Sequence, residues 1–265
     1  VPAIRFNFWL EYYEEYNCSA LGDIDWYSTG VPRPHLGVAC LLFGAVAIPL
    51  YCSCALAMLS MRKLSAYKIM LFLAVVDILE LFFASIAFGI KSINSLGLEC
   101  LCNFVFIVSK TISVFFFCST LSCALLALNR FGEILFIRPI VWLFQGSRTW
   151  LVLVMGSIAV CFLVLFTPPM LFNSKHHMLF FDPMIYVGRR YDSYIHFACV
   201  VALPILSLCI YLLMLSGLLY KYGNISRNSN SLSRATFQIS IQTGVIIVIH
   251  LTSMLCKILL YDGIE

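Results

Sequence analysis

Six apolar stretches, each close to the length that crosses a bilayer, constrain this chain more than any other feature. A helix rises about 1.5 Å per residue and must cover roughly 30 Å of hydrocarbon, so each crossing needs about 20 apolar residues. The runs are continuously apolar rather than alternating, which favours helices over the strands of a membrane β-barrel. The sequence therefore predicts an all-α, polytopic transmembrane helix bundle with spans at 36–61, 67–90, 102–128, 149–172, 195–220 and 237–260.

The composition supports a membrane environment, because 62% of the residues are hydrophobic and 11% are charged. Soluble domains carry about 25% charged residues. We expect an N-terminal tail over residues 1–35 and one transmembrane domain over residues 36–265. Six spans are predicted within this sequence.

The short loops indicate the orientation of the chain, since Lys and Arg concentrate on the cytoplasmic side of membrane proteins. The first, third and fifth loops carry the basic residues Arg62, Lys63, Lys68, Arg130, Arg138, Arg148, Lys221, Arg227 and Arg234. The acidic N-terminal tail is therefore predicted to be extracellular, in a multi-pass protein of the plasma membrane. Asn17, in the sequon Asn17-Cys18-Ser19, is then the candidate glycosylation site.

Three charged residues are the clear cases of polar groups within the predicted spans, where a charge at mid-bilayer costs roughly 2.5 to 3.5 kcal/mol. They are Asp77, Glu80 and Lys110. We predict that Glu80 and Lys110 form an interhelical pair lining an outward-facing ligand cavity, with Asp77 as a deeper buried polar or ion site. In the alternative, Lys110 reaches the interface along its aliphatic stem and Glu80 is protonated.

Polar aromatic residues in or beside the fifth and sixth spans are further candidates for the ligand cavity. They are Tyr194, His196 and His250. A histidine in an apolar run is also explained by a single hydrogen bond to a neighbour, so both interpretations stay open.

Most of the twelve cysteines lie inside spans, where cysteine behaves as a small apolar residue. Three are external in the predicted topology, which allows a disulfide between Cys18 and either Cys100 or Cys102. The sequence contains no phosphate-binding loop, zinc-protease motif or nucleophile elbow. We expect no enzymatic activity, no metal, no cofactor and no nucleic-acid partner.

Five short motifs occur in a characteristic order along the chain. They are LSAYKIMLFLAVVD at 64–77, LNRFGE at 128–133, LFQGSRTW at 143–150, LFFDPMI at 179–185 and SRATFQISIQ at 233–242. In this order and spacing they resemble the nematode serpentine chemoreceptors of class T, a branch of the seven-transmembrane receptors. The resemblance covers nearly all of the chain from Val31 onward.

The resemblance implies a rhodopsin-like receptor with an extracellular small-molecule ligand and a heterotrimeric G protein as partner, in the plasma membrane or the ciliary membrane of sensory neurons. It implies a seventh span, which would lie beyond the last residue of this sequence. It implies that Asp77 occupies the sodium-site position. It also implies that Asn129-Arg130-Phe131 corresponds to the Asp-Arg-Tyr motif, with Arg130 as the intracellular switch. Because Asn129 replaces the acid, an Asp–Arg lock cannot form, and the second external loop lacks the usual cysteine.

Two other functional classes remain open from the residues alone. A transporter or channel would need a polar path through the membrane, which six spans with few charges do not favour. A non-signalling membrane scaffold would need neither a ligand nor a G protein.

Overall fold

The computed structural model describes residues 31–94, 103–167, 170–173, 177–181, 194–224, 241–249, 251–253 and 255–256. The described residues are helical apart from one short hairpin and the connecting turns. The elements are α1 (Pro34–Ser60), α2 (Ser65–Asn94), α3 (Asn103–Leu135), α4 (Arg138–Leu143), α5 (Arg148–Leu165), β1 (Leu171–Asn173), β2 (Met178–Phe180) and α6 (Tyr194–Asn224).

Five of these helices, α1, α2, α3, α5 and α6, are long and apolar enough to cross a membrane. α3 is the most buried of them and α1 the least. Large apolar side chains of α1 are exposed, among them Leu42, Phe43 and Val46. Such a surface is unfavourable in water and favourable against lipid chains, which confirms the predicted all-α membrane fold.

The C-terminal ends of α3 and α5 are the helix ends that lie furthest from the predicted span ends. α3 continues to Leu135, so residues 129–133 are helical and extend the predicted span 102–128. α5 ends at Leu165, and part of the predicted span 149–172 is the strand β1. The sequence explains the early end, because Pro168 and Pro169 lack the N–H that a helix needs and restrict the preceding residue. Within the predicted sixth span, a shorter apolar helix covers Ile241–Ser253.

The chain divides into two compact units. Unit 1 comprises Val1–Leu56, Ala74–Phe117 and Ile158–His196, and unit 2 comprises Ala57–Leu73, Cys118–Ser157 and Phe197–Glu265.

In unit 1, α1 and α2 approach closely at glycines. A Cβ added to Gly37 would lie 2.5 Å from the carbonyl oxygen of Gly89, which is far inside van der Waals contact. Small residues allow such backbone approach between membrane helices. Unit 1 also contains the antiparallel hairpin β1–β2, in which Phe172 pairs with Leu179.

In unit 2, one apolar cluster joins α2, α3, α5 and the turn that follows α4. Its buried members are Ala66, Ile69, Met70, Leu126, Phe144 and Leu153. Burial of each large apolar side chain stabilises a fold by about 1.5 to 3 kcal/mol in water. This cluster fixes the C-terminal part of α3 against the start of α2, where the polar residues described next are found.

Candidate functional site

An ion pair lies in the C-terminal part of α3. A guanidinium nitrogen of Arg130 lies 2.9 Å from Oε2 of Glu133, one helical turn further along. The side chain of Arg130 is 6% exposed and that of Glu133 is 36% exposed. Residues three apart on a helix are surface neighbours, so the sequence spacing alone makes this contact available.

Two neutral side chains complete this cluster. The hydroxyl of Ser65, at the start of α2, donates to Oε1 of Glu133 over 2.6 Å. Nδ2 of Asn129 donates to the Ser65 oxygen over 3.0 Å and lies 3.4 Å from Oε1 of Glu133. We name Ser65, Asn129, Arg130 and Glu133 the polar cluster. It connects α2 to α3 by hydrogen bonds to a carboxylate, which are stronger than those between neutral groups.

Arg130 is incompletely satisfied in this arrangement. Its Nε is buried and has no hydrogen-bond partner among the residues that the structure describes. A buried donor without an acceptor costs about 1 to 3 kcal/mol. The Nε–H group of Arg130 could therefore donate a hydrogen bond in an arrangement with different partners.

The sequence predicted a role for Asn129, Arg130 and Phe131. It did not predict that Ser65 and Glu133 complete the polar cluster. Glu133 is the acidic residue of the motif LNRFGE and follows Arg130 by three positions. This spacing could have indicated an ion pair on a helix. Ser65 lies 64 residues from Asn129, and nothing local in the sequence marks it as a partner. Asn129 is buried and takes part in the cluster without carrying a charge.

Unit 1 contains the predicted intramembrane residues Lys110, Glu80 and Asp77. Lys110 is 8% exposed, and its Nζ donates to the carbonyl oxygen of Leu165 over 3.3 Å. Leu165 is the last residue of α5, where carbonyls lack helical partners and a cation is favoured by the helix dipole. Asp77 and Glu80 are partly buried on α2. The Glu80–Lys110 pair and the ion site at Asp77 stay predictions.

His196, near the start of α6, is buried between aromatic rings. Its ring centroid lies 4.7 Å from that of Phe117 and 4.9 Å from that of Phe181, both in edge-to-face geometry. Such pairs add about 0.5 to 1.5 kcal/mol beyond the burial of their area. The three rings fix α3 and the segment after β2 against α6 within unit 1.

The remaining predicted site residues lie outside what the structure describes. Asn17, Cys18, Cys100, Cys102 and His250 are outside the described residues, and for Tyr194 only the helical backbone is described. Among the residues in the described ranges, no three His, Cys, Asp or Glu side chains come together as a metal site.

Comparison with known proteins gives two findings. The family described as "Serpentine type 7TM GPCR chemoreceptor Srt" matches residues 4–261. The chain is also similar to serpentine receptor class T-55 of Caenorhabditis elegans, with 25% identity over 238 residues. That alignment covers 85% of this chain, and the chain spans 62% of the length of that curated relative.

Proposed function

Because this chain belongs to the Srt family of serpentine 7TM chemoreceptors, we propose that it is a chemosensory receptor that binds a small extracellular ligand and activates a heterotrimeric G protein. It is a multi-pass membrane protein of a receptor family and is embedded in the lipid bilayer. The family match over residues 4–261 is the observation that carries this proposal.

We propose that the N-terminus faces the outside of the plasma membrane and that the polar cluster faces the cytoplasm. The basic loops support this orientation, since Lys and Arg collect on the cytoplasmic side. The G protein would then contact Arg130 and the loops at 131–148 and 222–234.

We propose Arg130 as the residue that changes partners on activation. Three features support this role: its burial, its ion pair with Glu133 and its Nε without an acceptor in the described part of the chain. A guanidinium is permanently charged and can exchange one set of acceptors for another. In the resting state Glu133 holds it against α3, and in the active state it is released toward the G protein. Asn129 replaces the acid usual at the preceding position, and Glu133 supplies the missing charge one turn later.

For the ligand, we propose an apolar cavity with a few polar groups in unit 1, which suits a small, largely apolar molecule. Glu80, Lys110 and His196 are the described residues proposed to line it, together with Tyr194, while His250 stays a candidate from the sequence alone. Lys110 supports this because a buried lysine in a membrane helix is costly and usually serves a function. We keep Asp77 as the proposed ion or buried polar site.

The test is a G-protein readout in cells that express the receptor at measured surface levels. A panel of small volatile and lipid-like molecules is applied to the parent protein and to Arg130→Ala. The proposal expects an evoked response in the parent that Arg130→Ala loses at equal surface expression. An unchanged response in Arg130→Ala would contradict the switch, and substrate flux in proteoliposomes without a G-protein response would favour a transporter.

A further inference from the structure

The turn after α4, which leads into α5, is held by hydrogen bonds and lies beside exposed basic side chains. The side chain of Phe144, just after α4, is buried, and its carbonyl accepts a hydrogen bond from Oγ1 of Thr149 over 2.7 Å. Nζ of Lys68 on α2 donates to the carbonyl of Gly146 over 2.7 Å. Gly146 has a φ of +60°, a conformation that glycine adopts without strain. The position of this turn is therefore fixed by contacts within unit 2.

Apolar and basic side chains project outward from this fixed turn. Phe136 is 72% exposed and Trp142 is 58% exposed, while Arg138 and Arg148 are also exposed. The guanidinium of Arg148 lies 4.0 Å from the centroid of the Trp142 ring and donates to the Trp142 carbonyl over 3.3 Å. The Arg148 guanidinium therefore lies over the Trp142 ring, and the two exposed groups form one patch of the surface.

The charge of the surrounding surface is mainly positive, and the neighbouring acid Glu133 is paired with Arg130 and hydrogen-bonded to Ser65. The segments 61–68 and 136–150 contain five basic residues and no Asp or Glu: Arg62, Lys63, Lys68, Arg138 and Arg148. The two helices that border the turn are membrane-length and apolar, with α3 ending at Leu135 and α5 beginning at Arg148. A turn held between the ends of two membrane helices lies at the depth of the lipid headgroups.

We propose that Arg138, Trp142 and Arg148 form a binding surface for anionic phospholipid headgroups, to which Arg62 and Lys63 of the turn between α1 and α2 add positive charge on the same predicted side of the membrane. The Trp142 ring lies at the boundary between headgroups and acyl chains, where amphipathic aromatic rings are favoured. The guanidinium groups of Arg138 and Arg148 donate hydrogen bonds to the lipid phosphates in the forked geometry that suits them. Charge complementarity identifies anionic phospholipids as the molecules bound here, because each basic residue near an anionic surface raises the binding constant about five-fold. These residues lie within the segment 131–148 that is proposed to contact the G protein, and the experiment below contains no G protein, so the two proposals can fail separately.

The experiment measures energy transfer from Trp142 to labelled lipids in nanodiscs. Trp9, Trp26 and Trp150 are replaced by Phe so that Trp142 is the single donor. Dansyl-labelled phosphatidylserine and dansyl-labelled phosphatidylcholine are compared as acceptors in otherwise identical discs. Symmetric discs present both lipids to both faces, so the result does not depend on the orientation of the protein.

The proposal expects more transfer to the serine lipid than to the choline lipid. Arg138→Gln with Arg148→Gln should lower that preference by roughly five- to thirty-fold, measured by competition with unlabelled lipid. The matched control is Arg33→Gln with Lys91→Gln, which removes the same charge from unit 1 and should leave the preference unchanged. Equal transfer to both lipids in the parent, or an equal loss in the control, would overturn the proposal.

A second measurement needs no substitution of the basic residues and so does not depend on the folding of the double variant. Raising the salt from about 0.1 M to about 1 M shortens the screening length from about 10 Å to about 3 Å. The preference of the single-tryptophan protein for phosphatidylserine should fall accordingly. A preference that is unaffected by salt would mean that attraction between these cations and the net negative charge of the headgroup does not produce it.

Discussion

Replacement of Glu133 by Gln tests whether Glu133 restrains Arg130. The carboxylate accepts a hydrogen bond from Arg130 over 2.9 Å and another from Ser65 over 2.6 Å. Hydrogen bonds to charged groups contribute about 1.5 to 3 kcal/mol when buried. Glu133 is 36% exposed, and the glutamine keeps one acceptor oxygen, so water and the new amide replace part of the loss. We expect the resting state to lose about 1 kcal/mol, which changes an equilibrium by about five-fold.

The assay is ligand-free nucleotide exchange on a heterotrimeric G protein in membranes with equal receptor surface levels. Glu133→Gln should raise basal exchange by about five-fold, because a small fraction of active receptor grows in proportion to the shift. Arg130→Gln should lower basal exchange. In the double variant, the effect of Glu133→Gln should disappear, since Glu133 acts through Arg130. Arg33→Gln, which removes a charge in unit 1, is the control and should change nothing.

Two results would refute this reasoning. If Glu133→Gln raised exchange equally with and without Arg130, the carboxylate would act independently of the ion pair. If it lowered exchange while surface levels held, Glu133 would belong to the active state and not to the resting one. Thermal unfolding in detergent is measured alongside, so that a loss of fold is distinguished from a change in activity.

Three other predictions follow from the packing and from the sequence. Gly37→Ala should destabilise the protein by about 1 to 3 kcal/mol, seen as a lower unfolding temperature in detergent, because the added Cβ would meet a backbone oxygen at 2.5 Å. Gly156→Ala is its control and should cost less, since its Cβ meets only the flexible end of a leucine side chain. Lys110→Ala and Glu80→Ala should lower surface expression non-additively, and additive losses would contradict the predicted pair. Asn17→Gln should abolish a glycosidase-sensitive shift on gels, and a parent protein with no such shift would show the sequon to be unused.

The membrane fold was predictable from sequence because the bilayer imposes a length and a polarity on every crossing segment. Helix ends were less predictable. Hydropathy falls at charged residues, so the predicted third span stopped at residue 128, although the helix continues to Leu135. Conversely, apolar residues beyond Leu165 extended the predicted fourth span, although the helix ends at Leu165 and Leu171–Asn173 form the strand β1.

The candidate switch was partly predictable. Arg130 was identified through the resemblance of Asn129-Arg130-Phe131 to the Asp-Arg-Tyr motif, in which Asn129 stands at the position of the acid. The ion pair of Arg130 with Glu133 depends on α3 remaining helical past the predicted span. The contribution of Ser65 depends on the register between α2 and α3, which local sequence does not specify.

Composition and hydropathy by themselves determined that this chain is a bundle of membrane helices, because solvation of an apolar segment depends on its residues and hardly on its neighbours. Only the tertiary structure decided which polar groups meet: Arg130 with Glu133 and Ser65, Lys110 with the end of α5, and Arg148 with Trp142. Hydrogen bonds and ion pairs act over a few ångströms and require defined directions. They are therefore fixed by the packing of helices that are distant in sequence.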